Sequence, residues 1–121
     1  MAHPDQSFAR NEHLRDSREF RVLREKGRRV TGHFAIVNAL ERPEGTRRLG
    51  VVTSRKFGPA VARNHARRWL REIYRRHKHQ LKSNLSIVVV AREALTRASY
   101  HEVQTELMKL FGAVGALTHR D

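Results

Sequence analysis

The sequence has no cysteine in its 121 residues, which excludes a disulfide framework and any cysteine-based metal site or nucleophile. Long apolar runs are also missing. No stretch approaches the roughly 20 residues that a bilayer-spanning helix needs, and the polar start MAHPDQSFARNEH lacks the apolar segment of a secretory signal. A soluble, cytoplasmic protein without a membrane partner is expected. Acids are scarce where bases are dense: residues 45 to 92 hold thirteen Lys or Arg against Glu72 alone, whereas the remainder holds twelve bases and eleven acids. The formal net charge of +13 is thus concentrated in one patch. Such a patch attracts phosphate backbones and gains affinity by releasing condensed counterions. Twenty of the 25 bases are Arg, whose planar fork pairs with phosphate and stacks on bases.

Catalytic groups are thin as well. The eight His are scattered, and His77 and His79, two residues apart, do not share a helix face. Carboxylates for a two-metal phosphodiester site would have to come from Glu41, Glu44, Glu93 or Glu102, none of them near the basic stretch in sequence. No catalytic residue and no metal ligand is expected in the polypeptide.

What is present centres on residues 55 to 79, RKFGPAVARNHARRWLREIYRRHKH, with nine Lys or Arg and one acid. Wound as a helix over 60 to 77, this stretch places Ala62, Ala66, Trp69, Leu70, Ile73 and His77 along an apolar stripe. Asn64, Arg67, Arg68, Arg71 and Arg75 recur on the opposite side, with Arg63 at the border. A solvated helix face balances its bases with acids at i,i+4. Here only Glu72 is on hand, so the cationic face calls for a polyanion. Gly58 and Pro59 mark the start, with Pro59 suited to the first helical position. The free N–H groups of that first turn, close to Arg63 and Asn64, can themselves hold a phosphate.

KFG followed by VARNHARRWLREIYR resembles the signature of the protein subunit of bacterial ribonuclease P, through Lys56, Phe57, Gly58, Val61, Arg63, Asn64, Arg67, Arg68, Leu70, Arg71 and Glu72. One departure stands out: the third residue of the family's basic triplet is His65.

The rest of the chain reads as one domain, long enough to bury roughly two thirds of its unfolded surface. Residues 1 to 13 form an arm, residues 14 to 115 the domain and residues 116 to 121 a tail, with Phe8 and Leu14 candidates to tuck onto the domain. Asp16 and Glu19 make a capping-box pattern and Gly27 a stop, bracketing a first helix with Phe20 and Leu23 on its apolar side. HFAIVNAL (33–40) and RLGVVTS (48–54) read as adjacent antiparallel strands around a Pro- and Gly-containing turn, with a further edge strand at Arg28 to Thr31. LSIVVVA (85–91) reads as a strand buried on both faces. Ser99 and Glu102 open a last helix through Tyr100, Val103, Leu107, Leu110 and Phe111, ended by Gly112 and Gly115. The expected fold is α+β, a two-layer sandwich in the order α-β-β-β-α-β-α with helices on a four-stranded sheet. A strand–helix–strand crossover is normally right-handed. The resemblance implies a left-handed one at the basic helix.

The resemblance further implies that an RNA subunit holds the Mg2+ ions and cuts precursor tRNA, while one copy of the protein binds that RNA and positions substrate. It assigns Arg63, Asn64, His65, Arg67, Arg68, Arg71 and Arg75 to the RNA subunit, although Asn64 serves equally well as a local capping group. It also implies a cleft between first helix and sheet for the single-stranded 5′ leader of precursor tRNA. The matching positions are Phe20, Arg24, Phe34, Ser54, Arg55 and Lys56. By spacing alone Phe20 is a core residue. Where family members carry a second aromatic beyond the strand Phe, this chain has Ile36, Val37 and Asn38. Two rivals remain: a general RNA-binding or ribosomal-type protein, and a basic helix lying on a membrane surface.

Overall fold

The computed structural model describes residues 13–14, 16–42, 45 and 47–118. Phe8 and Glu44 lie outside them, as does the arm apart from His13. The first helix, α1 (Ser17–Lys26), starts where the Asp16 carboxylate accepts the Arg18 N–H at 2.9 Å. Glu19 does not complete the box. Its Oε1 takes an Arg48 guanidinium N–H at 2.8 Å and ties the helix to the sheet. Gly27 ends α1 in extended backbone, and its missing side chain is what matters. A Cβ there would stand 2.6 Å from the Leu23 carbonyl oxygen and 2.3 Å from Asn38 Oδ1.

Four strands follow: β1 (Arg28–Thr31), β2 (Ala35–Glu41), β3 (Arg48–Val52) and, after α2 (Ala60–His77), β4 (Leu85–Ala91). Their order across the sheet is β1-β2-β4-β3. The expected pairing of the second and third strands is therefore corrected. Strand β4 inserts between them, antiparallel to β2 and parallel to β3. Central placement explains the unbroken apolar run of β4, which is buried on both faces. Arg28 and Arg29 sit on the outer edge strand, where charge discourages further strand pairing. The other edge is covered by the chain at His13 and Leu14, whose N–H reaches the Leu49 carbonyl at 2.9 Å.

The hand of the β3–α2–β4 crossover follows from hydrogen-bond parity. Arg42 donates to Asn84 and Arg92 to Phe34, so even-numbered positions along β4 bond toward β2 and odd-numbered ones toward β3. The odd side chains Ile87 and Val89 belong to the same core as Leu70 and Ile73 of α2. For L-residues, a strand running upward with these side chains toward the viewer has their N–H and C=O groups pointing right. Strand β3 then stands to the right of β4 with α2 in front, and the connection is left-handed, against the usual preference.

Helices α2 and α3 (Tyr100–Ala113) pack on one face of the sheet, where Leu70, Ile73, Tyr74, Leu107 and Phe111 meet Val37, Ile87 and Val89. Each such fully buried large side chain contributes about 1.5–3 kcal/mol relative to exposure. Helix α1 covers the opposite face through Leu23 against Val88, with Phe20, Leu40, Val52 and Val90 only partly buried. The sandwich thus carries helices on both faces of the sheet. Helix α3 opens with the full reciprocal box, Ser99 Oγ accepting from Glu102 N–H at 3.1 Å and Glu102 Oε1 from Ser99 N–H at 2.9 Å. It runs through Gly112. Gly115, at φ +75°, makes the turn that follows, where a side chain would be strained. The domain continues past residue 115: Ala116 is buried, and Thr118 N–H donates to the Gln80 carbonyl at 2.8 Å.

Candidate nucleic-acid interface

Helix α2 begins after Gly58, whose φ of 156° suits glycine, and Pro59 occupies the position just before the first helical residue. No acid and no side-chain cap covers the first turn, and Val61 is 80% exposed. The helix seats itself through Ala66, Leu70, Ile73 and Tyr74. Tyr74, fully buried, was not on the expected stripe. His77, which was, is half-buried, with Nε2 3.2 Å from Gln104 Oε1 of α3.

The outward side of α2 forms a shallow concavity of about 420 Å³ lined by Asn64, Arg67, Arg68, Arg71, Glu72 and Arg75. The side chains are held rather than loose. Arg67 donates to Thr53 Oγ1 at 2.6 Å and to Asn64 Oδ1, which fixes the helix to the end of β3 and gives Asn64 a local orienting task. Arg63 turns back to the Gly58 carbonyl at 2.8 Å. Arg68 and Arg71 are exposed. Arg75 is bound to the Glu72 carboxylate through Nε at 2.9 Å and Nη2 at 2.7 Å, and Arg76 adds a bond at 2.9 Å. These partners, Arg75 foremost, hold the Glu72 carboxyl down at about 2. The same pairing raises the Arg75 guanidinium above its ordinary value. One end of the row is thus partly neutralised within the helix.

On the α1 face, a groove of about 380 Å³ runs between helix and sheet, lined by Phe20, Arg24, Arg29, Ile36, Asn38, Val52, Val88 and Val90. Its floor is apolar except for Asn38, whose Oδ1 is buried without a hydrogen-bond partner. The position of Gly50 beneath Phe20 lets the ring lie close, since a Cβ there would meet Phe20 Cζ at 2.7 Å. Ser54, Arg55 and Lys56 are exposed on the turn after β3, anchored by buried Phe57. That turn lies in the chain between Val52 of the groove and the arginine face of α2.

Among the described residues, no three His, Asp or Glu side chains gather as a metal-holding group. No helix there is long and apolar enough to cross a membrane.

Comparison with known proteins adds a decisive observation. The ribonuclease P family model matches residues 8–115. The chain belongs to the ribonuclease P protein family. A ribonuclease P protein component of Syntrophomonas wolfei is 35% identical over 102 residues, covering 84% of this chain and 86% of that one. Among solved structures, the Thermotoga maritima RNase P protein superposes with a TM-score of 0.77 at 33% identity, covering 85% of this chain and 97% of that one. A Staphylococcus aureus RNase P protein mutant with defective mRNA degradation activity gives a TM-score of 0.82 at 26% identity, over 88% and 90% of the two chains.

Against the positions that ribonuclease P resemblance implied, the structure gathers Asn64, Arg67, Arg68, Arg71 and Arg75 in one concavity and leaves Arg63 and His65 on its flanks. Phe20 and Arg24 meet in the groove. Phe34 does not join them. It packs toward the α2 and α3 face, with its N–H and that of His33 both donating to the Glu106 carboxylate of α3 at 2.7 Å. Phe34 shares the even parity of Ile36 and Asn38, which face α1, but it lies in the bend before β2, where strand alternation does not hold, and its backbone is drawn to Glu106. Arg29 and Asn38, paired across β1 and β2, were missed as groove residues. Alternation along β2 and β4 was the available signal, since Ile36, Asn38, Val88 and Val90 all share one face.

Proposed function

We propose that this chain is the protein subunit of ribonuclease P, binding the catalytic RNA through the α2 arginine face and the 5′ leader of precursor tRNA in the α1 groove. The observation that carries it is the concavity of clustered guanidiniums on a helix whose sequence matches the family. Arg forks held apart by a rigid helix suit adjacent phosphates of a folded RNA. The groove pairs a half-exposed Phe20 and an apolar floor with the rim cations Arg24 and Arg29. That combination suits bases inside and phosphates outside, the logic of single-strand binding. Exposed Ser54, Arg55 and Lys56 lie where a strand leaving the groove would pass toward α2.

In this reading the RNA subunit holds the Mg2+ and performs the cut, and the protein contributes charge neutralisation and positioning. One protein binds one RNA, in the cytoplasm. Reconstitution tests it. Added to a ribonuclease P RNA, the protein is expected to lower the magnesium requirement for precursor cleavage and to raise affinity for precursors with a leader over those without one. Hydrolysis of precursor tRNA by the protein alone, or no effect of the leader, would defeat the proposal. Equal binding of unrelated RNAs would favour a general RNA-binding protein instead.

A further inference from the structure

The aromatic residues of α2 belong to neither surface described above. His65 is exposed, and its ring centroid lies 4.3 Å from that of Trp69, tilted by 54°. Trp69 in turn meets Tyr100 of α3 edge-on, at 5.6 Å and 89°. The inner end of this ladder is anchored, because Trp69 and Tyr100 pack partly buried against the main core. Its outer end, the His65 ring, is open. Arg68, one position before Trp69 and three after His65, is exposed and also lines the arginine concavity. It therefore borders both features.

An aromatic pair at i,i+4 is ordinarily a helix-stabilising contact. Two observations go beyond that here. His65 lies two residues from both Arg63 and Arg67 and three from Arg68, so a flat ring stands among the cations of this helix. The ring is also held in one orientation by a ladder reaching the core, which lowers the entropy cost of stacking a further ring on it. We propose that His65 and Trp69 form a ledge that takes one unpaired nucleobase of the RNA bound to α2, stacked on the outer imidazole face with its phosphate on Arg68. The ledge rests on the RNA-binding role proposed for α2. An aromatic platform accepts any base, because every base has a π-face. The neighbouring cation and the scarcity of acids on the helix select a polyanion strand over a protein surface.

The chain has a single tryptophan, so emission from the intact protein reports on Trp69 alone. A short oligoadenylate is expected to quench it saturably. Inorganic polyphosphate, with the charge but no bases, is expected to bind without quenching. In a Phe20→Ala background, which removes the stacking ring of the α1 groove, His65→Ala should weaken oligoadenylate binding by about fivefold or more and leave polyphosphate binding unchanged, and His65→Phe should restore the oligoadenylate affinity. Equal quenching by polyphosphate, or unchanged oligoadenylate affinity on adding His65→Ala to that background, would overturn the ledge. A complex with ribonuclease P RNA that forms and leaves Trp69 emission unmoved would remove the ledge alone. Failure of the unaltered protein to bind that RNA would remove the parent function with it.

Discussion

The two faces of the sheet are covered unequally. Against α2 and α3, the side chains of Val37, Ile87 and Val89 are completely enclosed, whereas against α1 the buried apolar cluster among the described residues is Leu14, Leu23 and Val88, and Phe20, Leu40, Val52 and Val90 stay partly open. The closed face supplies the stability that holds the arginine concavity of α2 rigid. The open face leaves apolar surface that a single short helix does not cover, and a groove results. On the proposed reading, one sheet serves a folded polyanion and an extended strand by being closely covered on one side and loosely covered on the other.

The largest way to break this contrast is to hollow the closed face. Leu70→Ala should cost about 2–5 kcal/mol in chemical unfolding and weaken both proposed RNA-binding surfaces together, because α2 loses its seat. Next in size, Gly50→Ala forces the Phe20 ring away from the sheet. It is expected to cost about 1–3 kcal/mol and to impair leader-dependent binding selectively, measured as the affinity difference between precursors with and without leader. Arg68→Ala should spare stability, lower affinity for the RNA subunit, and reduce the slope of log affinity against log salt by about one.

The smallest effect concerns Glu72. Glu72→Gln removes the carboxylate that engages Arg75 and Arg76, so polyanion binding should tighten and its salt slope should steepen. The same pair gives a pH signature. The Glu72 carboxyl falls from 4.5 to about 2 on folding, chiefly through its bond to Arg75. Its contribution to stability is therefore complete above 4.5 and lost as pH falls through about 2. The stability gap between wild type and Glu72→Gln should narrow over that window in acid titrations followed by circular dichroism.

Much of this was legible in the sequence, for reasons that differ by element. Helix α2 was read to its observed limits because Gly58 and Pro59 mark its start and its apolar and cationic positions separate at helical spacing. The α3 box was legible because Ser99 and Glu102 bond to each other as the pattern requires, whereas Glu19 found Arg48 across the fold. Strand neighbours were not legible. Local pattern marks β2 and β3 as strands, but the insertion of β4 between them depends on packing α2 over the sheet. The place of Phe34 was not legible, because it lies in the bend just before β2, where strand alternation lapses and the backbone of residues 33–34 bonds to Glu106 of α3, 72 residues on. The pairing of Arg75 was readable, with an acid three positions before it on the same helix.

The central claim is that two separate surfaces engage two different RNAs, and crossed titration of Arg68→Ala and Phe20→Ala tests it most directly. Each variant would be titrated with the RNA subunit alone and, once assembled with it, with precursor tRNA carrying or lacking a leader. The account predicts that Arg68→Ala loses affinity for the RNA subunit and keeps the leader advantage, while Phe20→Ala keeps the RNA subunit and loses the leader advantage. Parallel losses in both measurements by both variants would contradict it.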